Sequence, residues 1–351
     1  NARHLKCGRH SCAGETEGDV AMMISDKQAL RRYVKQIVRH AEVVETMLDF
    51  DVAHGEMGVE AMLGTCASLP RTPSELSSGR LMRTPLGEDA AAMFAALDAL
   101  DLPVHDLSRA AQMQRLYTRD AYIREILDVM HARSVLVRTP LARAAETRFE
   151  DDRMHPLLAV DLDLFTPGRY GIAYHQAAQR IEEAAKLSGA NHVLLERFDE
   201  QAVRYALLPV CEDALLTLHI RVETEQQIGH FAQMLDDAPG VRAIVSAPEA
   251  IECKLIDCAA QRERMLVRLS GLAHLDMAFA RLGTRFVPYT ANATLPEQML
   301  GPLGHRAERI WQALCSAYLP LARTGYDIDS EAIEQDVHAL LCGNLERPDA
   351  I

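Results

Sequence analysis

The chain has 351 residues, 48% of them hydrophobic, enough for one large α/β domain or two ordinary ones with a sizeable core. Its 50 acidic against 37 basic residues give a formal net charge of −13, which argues against a nucleic-acid or anionic-membrane surface, because phosphate binding relies on clustered Lys and Arg. No apolar run approaches the roughly 20 residues that span a bilayer, and the start, "NARHLKCGRHSCAGETEG", has no apolar signal-peptide core.

In chain order, residues 1–24 read as a disordered extension. Within it Cys7, His10 and Cys12 are close enough to hold zinc, but a fourth ligand is missing and the segment is Gly-rich. Helical periodicity opens at Ser25. Ser25 and Gln28 fit a capping box, and Leu30, Val34, Ile37, Val38 and Ala41 then line one face. From there the chain alternates. β-rich runs fall at 43–50, 134–139, 157–164, 192–197, 215–220, 242–247, 265–270 and 285–290, eight in all. Helix-like stretches lie between them, at 174–188 before Gly189, 224–237 and 248–264.

After the second run the strands recur at about 20 to 35 residues, as βαβ units require. Eight parallel strands with crossover helices predict an α/β fold of the closed (β/α)8 TIM-barrel type. The open doubly wound sheet is the alternative, and no Gly-x-Gly-x-x-Gly turn supports it. The first inter-strand gap contains the Pro/Ser/Gly-rich "SLPRTPSELSSGRLMRTPLGED", then helices near 88–100 and 119–131. This reads as an insertion at about 55–132 within a single barrel domain over 25–344. Amphipathic helical runs from 296 to about 323 and at 330–341 form a helical tail on the barrel, and 345–351 trail beyond.

Six of the eight cysteines are scattered through helix- or strand-like segments, the usage of a reduced, cytoplasmic protein. Cys66, Cys211, Cys253, Cys258, Cys315 and Cys342 read as packing residues.

Barrel enzymes place their chemistry at the C-terminal ends of the strands. Those ends offer Asp49, Asp51, Arg138, Asp161, Asp163, Glu196, Arg197, His219, Arg221, Ser246, Ser270, Thr290 and Asn292. The set suits an anionic or polyhydroxylated ligand, bound by Arg138, Arg197, Arg221 and Thr290, with an electropositive mouth. The plainer alternative pairs those arginines with Asp161, Asp163 and Glu196 as structural ion pairs, and makes His219 a hydrogen-bonded barrel histidine. Asp49 and Asp51 with His54 and Glu56 form a loosely spaced candidate metal site. No nucleophile elbow or phosphate loop is present.

The C-terminal third, "ARLGTRFVPYTANATLPEQML" and "HRAERIWQALCSAYLPLARTGYDIDSEAIEQDVHALLCGN", resembles the uronate isomerase family of the amidohydrolase superfamily. That family has a similar Leu-Gly-Thr-x-Phe-x-Pro strand, a long helix and a terminal Gly-Asn. Upstream, "SVLVRTPL", "RFEDDRMHPLLAVDLDL" and "LTLHIR" are similar to further family strands, so the resemblance spans about 25–344 and is most specific after Ala280. It implies aldose–ketose isomerisation of hexuronates with one divalent metal, held by a His-x-His on the first strand and an Asp on the eighth. At the matched positions the histidines are Leu48 and Phe50, and the Asp is Asn292, in Ala291-Asn292-Ala293 followed by Thr294. The family's Asp before Pro140 is Thr139, and its Arg two residues before Asp161 is Ala159. Asp161 and His219 remain as counterparts, with Asn292 in the former metal turn.

A neutral amide is a far poorer ligand for a hard cation than a carboxylate, and Leu and Phe give none. The leading expectation is therefore a catalytically degenerate barrel, without a cofactor, that binds a small anionic or sugar-acid ligand or a partner subunit in a homo- or hetero-oligomer. Two active alternatives stand beside it. One is an isomerase or hydrolase with zinc or manganese in a site rearranged around Asp49, Asp51, His54, Asp161 and His219. The other is a metal-independent enzyme with Asp161 and His219 as an acid/base pair.

Overall fold

The computed structural model describes residues 23–24, 27–47, 94, 96–145, 147, 149, 151–165, 174–288, 299–324, 326 and 328–346. Among them, eight parallel strands form one sheet: β2 (Val43–Met47), β3 (Ala132–Pro140), β4 (Met154–Val160), β5 (His192–Leu195), β6 (Thr217–Arg221), β7 (Arg242–Ser246), β8 (Met265–Arg268) and β9 (Phe286–Val287). Their order in the sheet is their order in the chain. β1 (Met23–Ile24) and β10 (Ile328–Asp329) pair antiparallel as a separate two-stranded ribbon.

Each of the eight predicted runs overlaps a strand of this sheet. The helices between them follow local rules. Tyr174–Ser188 buries Ala177, Ile181, Ala184 and Ala185 at helical spacing. It stops at Gly189, whose φ of +70° favours glycine even though a Cβ there would meet no neighbour within 4 Å. Glu225–Asp236 starts at Thr224, whose hydroxyl accepts from the Gln227 N–H at 3.2 Å. Lys27–His40 buries Leu30, Val34 and Val38, three of the five positions assigned to its apolar face; Ile37 and Ala41 pack half-buried against the same core. Ser25 lies outside the described residues, so its capping box does too.

The expected closure into a barrel is met as an open, strongly curled half-barrel. Among the described residues no ladder joins β9 to β2. The curl is nevertheless deep: Arg268 at the end of β8 donates from Nη2 to Thr46 Oγ1 on β2. Registers running strand by strand put both residues on one face, which is thereby the concave interior. The C-terminal segment bridges the same gap. The Cys342 thiol lies 3.1 Å from Glu42 O just before β2, while Asn344 Nδ2 donates to Thr284 O and Phe286 O at β9, at 2.5 and 2.7 Å. Arg242, first residue of β7, donates to the Glu346 and Asn344 carbonyls at 2.6 and 2.7 Å. The terminal Gly343-Asn344 thus seals one end of the curl, opposite the strand ends.

One strand end and one connection differ from expectation for local reasons. The run at 157–164 leaves the sheet after Val160, because the Asp161 carboxylate accepts from the Asp163 N–H at 3.0 Å and turns the chain into the short 3-10 helix Leu162–Phe165. The connection from β3 to β4 holds only the 3-10 turn Leu141–Arg143 and no α-helix among its described residues.

Candidate functional site at the sheet mouth

A cavity of about 940 Å³ opens at the C-terminal ends of β3, β4 and β5, beside the Leu141–Arg143 turn. Arg138, Asp161, Glu196 and Arg197 line its polar side. The Leu141–Ala145 stretch and the Arg180, Glu183 and Leu187 stripe of helix Tyr174–Ser188 continue it over the rim.

Arg138 and Glu196 share the interior face, on strands separated by β4. Between them stands Ala159, small enough to pass over, and Arg138 Nε reaches Glu196 Oε1 at 2.7 Å. The pair is half-exposed, at 28% and 55% of its side-chain surface, so it is wet and open to a ligand. Asp161 is exposed one residue past β4, where it lines the cavity and accepts through one carboxylate oxygen from the Asp163 N–H. Arg221 pairs with Glu223 at 2.7 Å rather than with a strand-end carboxylate. Both guanidiniums thus carry a carboxylate partner, so the mouth on this side is a mosaic of opposite charges and not a uniform positive field.

His219 lies deeper, 2% exposed, with its Nε2 at 3.0 Å from His192 Nδ1 and the rings edge-on. Burial first, then His192, Arg268 and Arg242, pushes its pKa well below the ordinary 6.5. It is a neutral imidazole in a two-histidine contact whose Nδ1 has no hydrogen-bond partner among the described residues. Asp161 hydrogen-bonds within its own turn and His219 hydrogen-bonds to His192; these contacts place the two in different layers of the sheet, one at the rim and one beneath it.

Thr290 and Asn292 lie outside the described residues, as do Leu48, Asp49, Phe50, Asp51, His54, Glu56, Cys66 and the Cys7, His10, Cys12 segment. Among the described residues no three His, Cys, Asp or Glu side chains converge as a metal site. The five described cysteines are free thiols, Cys211, Cys315 and Cys342 fully buried.

Three groups at this end escaped the sequence reading. Arg268 is one; the strand-end rule would have found it had the run been ended at 268 rather than 270. The others are Glu252 and His274. Glu252, 1% exposed on helix Glu249–Ala259, accepts from Ser270 N at 2.6 Å and contacts His274 Nδ1 at 2.8 Å. It thereby fixes the loop after β8 on which Ser270 sits. No spacing signal joins residues 252, 270 and 274.

No helix among the described residues is long and apolar enough to cross a membrane. No protein-family model matches the chain. No curated protein matches it either. Solved structures do. A uronate isomerase from Bacillus halodurans C-125 superposes with a TM-score of 0.77 over 92% of this chain and 96% of its own, at 15% identity. A glucuronate isomerase from Caulobacter crescentus superposes with a TM-score of 0.55 over 96% of this chain and 98% of its own, at 11% identity. At these identities the likeness is one of fold: the chain has the α/β architecture of a uronate isomerase over nearly its whole length.

Proposed function

We propose that this chain is a uronate-isomerase-type barrel, its first and eighth strands juxtaposed across the open seam, that binds a sugar acid or a similar polyhydroxylated anion at its mouth. The observation that carries the reading is the Arg138–Glu196 pair bridging over Ala159, beside Asp161, at a cavity of about 940 Å³. A guanidinium held in place by a carboxylate keeps donors in a fixed plane for the oxygens of a ligand. The neighbouring carboxylates accept from hydroxyls. Together these are the groups a hydroxylated acid needs, at the end of a parallel sheet where ligands of such folds bind.

The same reading makes the chain a degenerate member with respect to metal-dependent isomerisation. Its support is the sequence: Leu48, Phe50 and Asn292 stand where the resemblance calls for His, His and Asp. A catalytic metal ordinarily takes about three protein ligands and an open position. The metal-independent acid/base alternative gains little from the geometry, since His219 spends its Nε2 on His192 and lies beneath the rim that carries Asp161.

The test is elemental analysis of the purified protein, with turnover of D-glucuronate and D-fructuronate. The expected result is less than stoichiometric divalent metal and no interconversion. About one zinc or manganese per chain, with turnover lost on its removal, would sink the proposal.

A further inference from the structure

The interior contact between Arg268 and Thr46 bears on what charge the barrel can hold. Arg268 is half-buried at the end of β8, and its Nη2 donates to the fully buried Thr46 Oγ1 on β2, across the open seam of the sheet. Its charge also reaches His219 on β6, where it helps to keep that imidazole neutral. The guanidinium therefore lies inside the curl, between the first strand and the middle ones. In sequence, Leu48 and Phe50, the positions matched to the family's metal histidines, follow Thr46 by two and four residues.

These residues do not fit a divalent cation. A permanent positive charge bonded to Thr46 repels a dication brought to the same strand end, and the more strongly as water is excluded. His219, the histidine left from the resemblance, turns Nε2 to His192 and is held neutral beneath the rim. What the residues do fit is an anion. Arg268 is next to Ser246 in register, and Ser246 is next to Arg221. Asp161 and Glu196 stand on the other side of the rim. Arg268 and Ser246 thus add donors at β7–β8 to a mouth where Arg138 and Arg221 are already paired with carboxylates.

We infer that Arg268 takes the place of the metal as the fixed cation of this barrel, holding the carboxylate of a sugar acid whose hydroxyls turn toward Asp161 and Glu196. This rests on the proposed sugar-acid site and names its charge-bearing residue.

The experiment is calorimetric titration of D-glucuronate and its neutral methyl ester into EDTA-treated protein, as wild type, Arg268→Gln and Arg268→Lys, each checked for folding by circular dichroism. Wild type is expected to bind glucuronate without metal and to bind the ester roughly tenfold or more weakly. Arg268→Gln should lose that preference for the acid, and Arg268→Lys should keep most of it. If wild type binds glucuronate and Arg268→Gln binds it as tightly, the assignment of Arg268 fails while the sugar-acid site stands. If binding appears only after zinc or manganese is restored, the replacement of the metal is overturned. If wild type binds no sugar acid with or without metal, the sugar-acid reading itself is wrong and the inference falls with it. Should Arg268→Gln not fold, equal binding of acid and ester by wild type overturns the inference on its own.

Discussion

Glu45 of β2, with no exposed surface, forms an ion pair with Arg306 of the long helix Leu300–Arg323, itself 5% exposed. Glu45 alternates with Thr46 along β2 and so faces away from the interior, toward the helix that packs there. The pair ties the first strand to the C-terminal helical tail.

Removing one partner strands a buried charge, so Arg306→Ala should destabilise the protein by roughly 3–5 kcal/mol. Replacing both, as Glu45→Met with Arg306→Met, should recover most of that loss, because paired hydrophobic replacement of a buried ion pair is often near neutral. Urea denaturation of the single and the double variant against wild type checks this. A single variant as stable as wild type would show that the pair is not buried in solution.

His219 makes acid stability a second test. Its folded-state pKa lies well below 6.5, so as pH drops below 6.5 the unfolded chain takes up a proton that the native chain refuses. Stability therefore rises with pH in that window and is lost as pH falls through it, with a limiting slope of about 1.4 kcal/mol per pH unit for one such group. Denaturation curves between about pH 5 and 8 should be steeper for wild type than for His219→Gln. Parallel curves would mean that His219 is reached by water.

Glu252 should act on one loop. Glu252→Ala leaves the part-buried Ser270 N–H and the His274 ring without their acceptor, at a cost of about 1–3 kcal/mol. Amide exchange should speed up at Ser270 more than at Val245 in the middle of β7. A uniform acceleration instead would point to global loosening.

The seal at the far end gives a fourth expectation. Asn344→Ala removes the donors to the Thr284 and Phe286 carbonyls and should cost about 1–3 kcal/mol. Arg242→Met should cost more, since a charged donor serves two backbone carbonyls there. Thermal melts of the two variants decide the order. Asn344→Ala equal to wild type would show that the Gly-Asn end does not bridge the seam.

The strands and helices were legible because their signals are local. Hydrophobic runs bounded by Gly, Pro and capping residues, such as Tyr174–Ser188 before Gly189 or Glu225–Asp236 behind Thr224, need no tertiary knowledge. The site was legible only where a strand end marks it, as for Arg138, Asp161 and Glu196. Contacts that join distant segments left no trace in spacing. Thr46 with Arg268, Glu45 with Arg306, and Glu252 with Ser270 and His274 depend on the curl of the sheet and on which face each residue takes. The overlong run at 157–164 shows the limit from the other side: β-forming residues continue past Val160, but the Asp161 side chain turns the backbone first.

The measurement that bears most directly on the central claim is a crystal structure of the metal-stripped protein soaked in D-glucuronate. The sugar acid is expected at the mouth within hydrogen-bond reach of Arg138 or Glu196 and of Asp161, with no metal between ligand and protein. A ligand seen only when zinc or manganese is added, coordinated to a metal inside the barrel, would contradict it.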